Sequence, residues 1–403
     1  QLRATQPIIN DPVLIEYIND LGNRMVRHAH DVNYSFEFFI INNPELNAFA
    51  FFGGHIGIHS GLITTADNES ELASVIGHEI SHVTQRHLAR RLEAQTRTQP
   101  LTMAGMVSGV LLALVNPTVG MAALSTSMAA SQQSGINYTR GNEKEADRVG
   151  ITLLAQSGFD PNGAPEFFAK MAEKFRYKSK PPAMLLTHPL PESRISDARV
   201  RAQSYGIVNV PPKLEFGLAK ARIQSRYEGS PENHIRNFQK QLEQKSHAFI
   251  EVPMYGLANA YFKLKEYDKA EKLLMELLGS DKRNLFYVDV LSDIYIETKN
   301  YAPAIKMLSE LFALMPNNQV VTLNYANVLQ ESGDYAKAEL LLQDFLILSP
   351  NNFIAHDLLT TVYRKQQKMD LMHISKAEVY GLMGGYSQAI DELQSGYKCV
   401  PRV

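Results

Sequence analysis

Two histidines and a glutamate stand close together in the stretch VIGHEISHVTQRH, which covers residues 75–87. On a helix, His78 and His82 lie one turn apart on the same face, so both imidazole rings can reach one metal ion. Glu79 lies about 100° further around the helix and can take a proton from a water molecule on that ion. This H-E-x-x-H arrangement predicts a hydrolytic site with one zinc ion per chain, two histidine ligands and a general base.

The predicted zinc site needs a third protein ligand. A histidine at the H-x-x-G-x-x-H spacing is absent, because VTQRHLARR follows the second motif histidine. A carboxylate from a second helix is the other common solution. The stretch 137–158 predicts such a helix, with Glu143 and Asp147 on one face. We expect Glu143 to bind the metal and Asp147 to accept a hydrogen bond from a ligating histidine. Glu145 points away from that face and is the weaker candidate.

A further histidine, His188, stands in MLLTHPLPESRISD, residues 184–197. Its prolines predict a stiff loop, followed by a helix that begins near Glu192. Three interpretations of His188 stay open at this point. It is a solvated loop residue, a donor to the oxyanion of a tetrahedral intermediate, or a plug that fills the fourth zinc position and shuts the enzyme.

The elements that must position these residues are of mixed type. SFEFFII (35–41) and NAFAFFGGHIGIHSGLI (47–63) predict strands, because they are short, aromatic and β-branched. The motif itself predicts a helix from Glu69 to about Ala94, which Asp67 and Asn68 can cap. On that long helix, His87 would point away from the metal. Residues 1–205 therefore predict an α+β zincin-type metallopeptidase domain, mostly helical with a small sheet.

Composition limits the other possibilities. The chain has 403 residues, 45% of them apolar, which predicts two or three globular domains. A formal net charge of −2 and the absence of a long basic run argue against a nucleic-acid-binding protein. The single cysteine, Cys399, excludes an internal disulfide and a cysteine-based metal site. No basic-then-apolar leader begins the sequence, so we expect any signal peptide to have been removed.

The C-terminal half is predicted to be helical and repeats itself. Tyr267, Tyr301 and Tyr335 are 34 residues apart, and alanines at positions 270, 304 and 338 follow the same step. A 34-residue period with Tyr-x-x-Ala opening the second helix is typical of the tetratricopeptide repeat. We expect an all-α solenoid over 206–403, with its clearest repeats at 251–352 and a further one at about 370–395. The concave face of such a solenoid binds other polypeptides.

One long segment, from residue 98 to residue 139, carries no charged side chain. Asn116-Pro117 interrupts its apolar stretch after about 15 residues, fewer than the roughly 20 that a membrane span needs. Three alternatives remain for this segment. It is a buried or cleft-covering helical hairpin, an element in peripheral contact with a membrane, or a true span.

Three stretches along the chain, NAFAFFGGHIGIHSGLI, ELASVIGHEISHV and RGNEKEAD, resemble the metallopeptidases related to HtpX and to the CAAX prenyl protease. In those enzymes H-E-x-x-H is followed by a glutamate in an E-x-x-x-D helix, which matches Glu143 and Asp147. The resemblance also implies that the strand at 47–52 is an edge strand beside the cleft, where an extended substrate pairs through its backbone. A His-Pro pair in the related peptidases favours a functional role for His188.

Together with the tetratricopeptide array, the resemblance implies a zinc endopeptidase of outer-membrane quality control in the periplasm of a Gram-negative bacterium, with chaperone-like activity beside proteolysis. Its substrates would be unfolded or misassembled outer-membrane β-barrel proteins, and its repeats would dock on the β-barrel assembly machinery. The alternative is a non-proteolytic chaperone or adaptor whose repeats bind clients while the metal site is silent. The intact Glu79 favours the enzyme, because a scaffold has no use for a general base there.

Overall fold

The computed structural model describes residues 2–51, 53–115, 117–176 and 183–399, which form helices and one small sheet. The chain folds into two compact units. The site unit comprises residues 19–39 and 44–212, and the repeat unit comprises residues up to 18, 40–43 and from 213 onward. The predicted fold class, a mostly helical domain with a small sheet followed by helical repeats, is confirmed. The sequence predicts a domain boundary between residues 205 and 206. Whether the pieces on each side of it fold alone stays a prediction.

The sheet has three strands in the order β1-β3-β2, so β2 lies at an edge. The strands are β1 (Glu37–Ile41), β2 (Ala48–Phe51) and β3 (His55–His59). β2 and β3 are antiparallel, with Phe49 opposite Gly57. Gly53 and Gly54, both at φ +81°, lie between these two strands. This left-handed conformation is open to glycine because it has no Cβ to clash with the backbone.

Most of the site unit is helical. Helix α1 (Leu2–Thr5) belongs to the repeat unit, and α2 (Pro12–Val26) begins in the repeat unit and ends in the site unit. The other helices of the site unit are α3 (Ser60–Thr65), α4 (Glu69–Thr84), α5 (His87–Val115), α6 (Pro117–Gln156), α7 (Gly163–Phe175), α8 (Ala183–Thr187) and α9 (Glu192–Gln203).

Helix α4 carries the H-E-x-x-H motif and begins as predicted. The Asn68 side chain accepts a hydrogen bond from the Glu71 amide at 3.0 Å, which caps the helix. The predicted continuation to about Ala94 is wrong, because α4 ends at Thr84. Arg86 adopts φ +55°, a conformation that breaks the helix and costs a non-glycine residue about 1–2 kcal/mol. A new helix, α5, starts at the next residue.

Helices α5 and α6 pack against each other and form a hairpin over the uncharged segment. Several of its described apolar side chains are exposed: Met103 is 60% exposed and Leu111 is 59% exposed. We use the name hairpin face for a set of exposed residues on these helices, namely Met103, Val107, Val110, Leu111 and Met121. Among the described residues, no helix is long and apolar enough to cross a membrane. Burial of the hairpin is therefore excluded for these side chains, whereas a cleft-covering hairpin and a peripheral membrane contact stay predictions.

The repeat unit continues through eleven described helices. These are α10 (Leu214–Tyr227), α11 (Pro231–Gln244), α12 (Glu251–Lys263), α13 (Tyr267–Ser280), α14 (Leu285–Glu297), α15 (Tyr301–Leu314), α16 (Gln319–Ser332), α17 (Tyr335–Leu348), α18 (Phe353–Lys365), α19 (Met369–Leu382) and α20 (Tyr386–Cys399). Helices α13, α15 and α17 begin at the three tyrosines of the 34-residue period. The alanines three residues later are fully buried. The 34-residue period therefore correctly predicted where these three helices begin and that their alanines lie in helix contacts.

The same step continues once more in the structure, since α19 begins at Met369, 34 residues after Tyr335. A left-handed residue precedes each of these second helices by two positions, and the four residues are Lys265, Lys299, Gly333 and Gln367. Only one of them is a glycine. The corner of each repeat is therefore set by packing of the two helices rather than by a residue that prefers that conformation.

The repeat unit also contains the N-terminal segment of the chain. Arg222 on α10 is 1% exposed and donates to Asp11 Oδ2 at 2.7 Å and to Asp289 Oδ2 at 2.5 Å. The other oxygen of Asp11 accepts the Val13 amide at 3.2 Å and caps α2. Burial alone would raise the pKa of Asp11, but the charges of Arg222 and Arg226 and the hydrogen bonds from Arg222 and Tyr227 together outweigh it, and the pKa lies below its usual value. A buried guanidinium thus fixes the N-terminal segment on the repeats.

We expect Asp11→Asn to destabilise the full chain by about 3 kcal/mol, because it leaves the buried Arg222 with one carboxylate instead of two. Asp11→Ala should cost about 1 kcal/mol more, since alanine also removes the cap of α2. Chemical denaturation followed by circular dichroism would measure both losses. Asp357→Ala, which changes an exposed aspartate of the same unit, is the control. Equal stability of Asp11→Asn and this control would contradict the prediction.

Candidate metal centre

The side chains of the H-E-x-x-H motif and of Glu143 converge. The Nε2 atoms of His78 and His82 lie 3.0 Å apart. Glu143 places Oε2 at 3.3 Å from the first and Oε1 at 3.3 Å from the second. Zinc bonds of about 2.0–2.1 Å in tetrahedral geometry separate two ligand atoms by about 3.4 Å. The three groups therefore have the mutual spacing that one ion bound to all of them would require.

This convergence depends on two glycines where α4 and α6 meet. A Cβ atom placed on Gly150 would lie 3.2 Å from the backbone N and Cα of His78, and one on Gly77 would lie 3.3 Å from Gly150 O. Larger residues at these positions would push the two helices apart. Because the backbones approach so closely, Glu143 on α6 reaches the histidines of α4.

Behind the first histidine lies the buried carboxylate of Asp147. Asp147 Oδ1 is 3.0 Å from His78 Nδ1, so the other ring nitrogen faces the ligand group. Burial would raise the pKa of Asp147, but His78 and Arg194 outweigh it and the pKa lies below its usual value. A charged carboxylate at this place holds the N–H of the ring on Nδ1 and leaves the lone pair of Nε2 for a metal.

Arg194 is a site residue that the sequence did not reveal. It is 4% exposed and donates from Nε and Nη2 to Asp147, both at 2.7 Å. Its Nη1 lies 3.0 Å from Glu143 Oε2 and donates to Pro189 O at 2.7 Å. One arginine thus ties together both carboxylates of α6 and the segment that follows His188. Its position on α9 carried no local signal, because its partners lie about 50 residues earlier in the chain.

Glu79 is 1% exposed, and its Oε1 atom has no hydrogen-bond partner among the described residues. His188 Nε2 lies 3.5 Å from it. A buried carboxylate oxygen without a partner is costly unless a proton donor occupies the space that it faces. The atom therefore fits a general base that faces a reacting water.

The charges of the site point to a divalent ion. Glu79, Glu143 and Asp147 are buried carboxylates, and Arg194 contributes the buried guanidinium. With neutral imidazoles these groups carry a net charge of −2, which one divalent cation neutralises. Burial would lower the pKa of His78, but Asp147 and Glu143 raise it to about 10, so a proton takes up part of this charge when no metal is bound. The residues present therefore fit a metal ion such as zinc.

His188 belongs to the same group of atoms. Its Nδ1 lies 3.0 and 3.1 Å from the two oxygens of Glu143, and its side chain is only 13% exposed. One ligand atom from each of His78, His82, Glu143 and His188 lies within 4.8 Å of the other three. The residue follows the short helix α8, and its amide donates to Met184 O at 2.7 Å. A solvated loop histidine is therefore not what the structure contains.

His87 lies where the long-helix expectation did not place it. Its Nδ1 is 2.8 Å from His82 Nδ1, and its Nε2 is 3.0 Å from Glu145 Oε2. Arg90 Nη1 donates to the same Glu145 oxygen at 3.0 Å. The expectation that His87 points away is wrong because the helix that carries the motif ends at Thr84 and the chain changes direction at Arg86, before His87. Burial lowers the pKa of His87 to about 4, so its ring is neutral at neutral pH. Glu145 lies outside the group of ligand atoms.

A cavity of about 230 Å³ opens beside the ligand group. Edge strand β2 borders it with Phe49, Ala50 and Phe51, and Glu79 and His188 line it from the other elements. Backbone groups on the outer side of an edge strand are available to pair with an extended peptide. A polypeptide bound along β2 would therefore pass close to Glu79.

Residues 13–202 match the sequence profile of Peptidase family M48. Residues 253–284 and 295–362 match profiles of the tetratricopeptide repeat. The two-helix ligand set and the small sheet described above agree with the first match, and the 34-residue helix pairs agree with the second. Residues 13–202 are thus similar to peptidase family M48, and segments similar to the tetratricopeptide repeat follow them.

The chain is also similar to individual proteins from bacteria and from a plant. The chain is 48% identical over 297 residues to the beta-barrel assembly-enhancing protease of Yersinia pestis, and 47% identical over 294 residues to that of Escherichia coli (strain K12). Each alignment covers 73% of this chain and 60% of the relative. A mitochondrial metalloendopeptidase of Arabidopsis thaliana is 33% identical over 145 residues, which are 36% of this chain and 27% of that protein. The chain thus spans about 60% of the length of the two bacterial relatives.

The assignment of the third ligand can be tested by metal content. We expect Glu143→Ala to lose most of its bound metal, because it removes the carboxylate that both ligating histidines approach. Glu145→Ala changes a carboxylate on the same helix and should hold close to one equivalent when metal is in excess. Inductively coupled plasma mass spectrometry on purified full-length protein would measure the content. Metal loss in Glu145→Ala alone would move the ligand to that residue.

Proposed function

We propose that this protein is a zinc-dependent endopeptidase of outer-membrane quality control. One observation carries the catalytic part of the proposal: a buried carboxylate oxygen of Glu79, without a hydrogen-bond partner among the described residues, lies 3.5 Å from Nε2 of His188, which belongs to the group of possible metal ligands with His78, His82 and Glu143. A general base beside three metal ligands is the arrangement of metal-dependent peptide hydrolysis. The match of residues 13–202 to a peptidase family supports the same activity.

His78, His82 and Glu143 would hold the zinc ion, which supplies a Lewis acid that polarises a carbonyl and lowers the pKa of water to about 7. Glu79 accepts the proton of the attacking water and then delivers it to the leaving amine. Asp147 holds the His78 ring in the tautomer that turns Nε2 toward the site. Arg194 keeps Asp147 charged and in place through two hydrogen bonds.

Substrate binding follows from the sheet. An extended polypeptide that pairs with β2 needs no particular side chains, because backbone groups make the contacts. This mode suits a peptidase whose clients are unfolded or misassembled chains. The relatives from two Gram-negative bacteria are called beta-barrel assembly-enhancing proteases. We extend that role to this chain, with outer-membrane β-barrel proteins as substrates and the periplasm as its location.

The repeats supply the proposed docking surface for the β-barrel assembly machinery. Part of this surface already binds the N-terminal segment: Asn318 donates to Glu16 at 3.1 Å, and the Arg3 guanidinium lies 5.3 Å from the Phe353 ring centroid. A partner therefore docks on the repeat surface that the N-terminal segment leaves open. The hairpin face supports a peripheral contact with a membrane, because it exposes apolar side chains in a segment without charges.

The rival function is a non-proteolytic chaperone or adaptor, and Glu79→Gln separates the two. The variant keeps the metal ligands, so we expect the fold and the metal content of the wild type. Proteolysis should fall by about 10² to 10⁴, because the amide cannot accept the proton. Cleavage of an unfolded substrate protein by purified full chain would measure it. A Glu79→Gln protein that cleaves at the wild-type rate would exclude the mechanism, and a wild type that binds clients without cleaving them would favour the adaptor.

We infer that His188 is the plug, because its ring lies among the proposed metal ligands, with Nδ1 at 3.0 and 3.1 Å from the two oxygens of Glu143. We expect His188→Ala to increase cleavage, including cleavage of the protein itself, while metal content stays near one equivalent. An oxyanion donor would behave in the opposite way, with a loss of about 10² to 10³ in rate. Rates with a fixed substrate, measured beside metal content, would distinguish the two roles.

A further inference from the structure

We propose that His87, Glu145 and Arg90 form a hydrogen-bonded relay that fixes the tautomer and the ring orientation of His82 as a metal ligand. The proposal rests on the proposed function, because that function makes His82 a metal ligand. His87 is a positioning residue in this scheme, because it touches neither the ion nor the substrate.

The hydrogen positions follow from the contacts. Glu145 Oε2 can only accept, so the His87 Nε2 atom, 3.0 Å away, carries a hydrogen and donates it. His82 would bind a metal through the Nε2 lone pair, which places its own hydrogen on Nδ1. The gap of 2.8 Å between the two Nδ1 atoms holds one hydrogen, so His82 donates and His87 accepts. A neutral His87 has one hydrogen and one lone pair, and both are used.

The outer end of the relay is held by Arg90. Its Nη1 donates to Glu145 Oε2 at 3.0 Å and to Gln85 O at 3.2 Å, so it also ties α5 to the break that follows α4. The His87 side chain is 4% exposed, whereas Glu145 is 28% exposed and Arg90 is 45% exposed. The inner hydrogen bond is therefore shielded from water, and the outer salt bridge is weakened by solvent.

Each histidine of the motif then has its own support. His78 is backed directly by Asp147 and Arg194, which are buried. On its Nδ1 side, His82 reaches a carboxylate and an arginine through a second imidazole, that of His87. Because hydrogen-bonded partners of ligating histidines set ring orientation and basicity, loss of such a partner typically lowers metal affinity by about 10- to 100-fold. The partly exposed relay predicts an effect of about 10-fold, at the low end of this range.

The test compares zinc dissociation constants, measured by competition with a chromophoric chelator on the full chain. His87→Phe keeps the ring but removes both nitrogens, and we expect affinity to fall about 10-fold or more. His87→Asn keeps an acceptor at the Nδ1 position and should recover most of that loss. The matched control is His373→Phe, because His373 also contacts a glutamate, Glu392, that a lysine neutralises. The control should bind zinc like the wild type.

Several results would overturn the relay. One is a His87→Phe protein that binds zinc as tightly as the control, and another is a His87→Asn protein no better than His87→Phe. If His87→Phe fails to fold, Glu145→Leu decides, since it removes the acceptor of His87 at a half-exposed position. Unchanged affinity in that variant would exclude the relay. A wild type that binds no zinc would instead refute the proposed function.

Discussion

The close approach of α4 and α6 at Gly77 and Gly150 is the constraint on which the rest of the site depends. It lets a carboxylate of one helix reach two imidazoles of the other, and it buries that carboxylate as it does so. Burying a carboxylate costs several kcal/mol unless nearby positive charge offsets it. Arg194 and the proposed metal ion are the two sources of that positive charge. The close helix crossing therefore depends on them, because without them the carboxylate that it buries would be too costly.

The same crossing explains why so many polar groups gather behind the ligands. A helix pair packed this tightly leaves little freedom to the two histidine rings, and polar groups close to their Nδ1 atoms restrict the rings further. Asp147 does this for His78 at short range. His87 does it for His82 because the break at Arg86 places its ring 2.8 Å from His82 Nδ1. The strained backbone at Arg86 thus lies next to the proposed metal ligand His82 and its partner His87. Strained residues are commonly found at such functional sites.

Features with a fixed period could be predicted from the sequence. The spacing of His78 and His82, the pair on α6, and the 34-residue step of the repeats all follow from helix geometry. The break at Arg86 could not be predicted, because arginine has no preference for the left-handed conformation that packing imposes there. Arg194 and the Asp11–Arg222 pair were also missed, since their partners are distant in sequence and a lone arginine or aspartate carries no local signal. The exposure of the hairpin face could not be predicted either. In that case a local signal was present but misleading, because the apolar composition suggested side chains buried in a core.

The salt bridge between Asp11 and Arg222 joins residues that are 211 positions apart. Tetratricopeptide arrays ordinarily fold through contacts between neighbouring helices, which close short loops and form fast. This array has in addition contacts of very high sequence separation, among them Asp11–Arg222 and Glu16–Asn318. The N-terminal segment that makes these contacts is synthesised before any repeat exists. The repeat unit can therefore assemble its helix pairs locally but reaches its final stability only after the long loop closes. Its folding should show a slow last step that an isolated array of the same helices lacks.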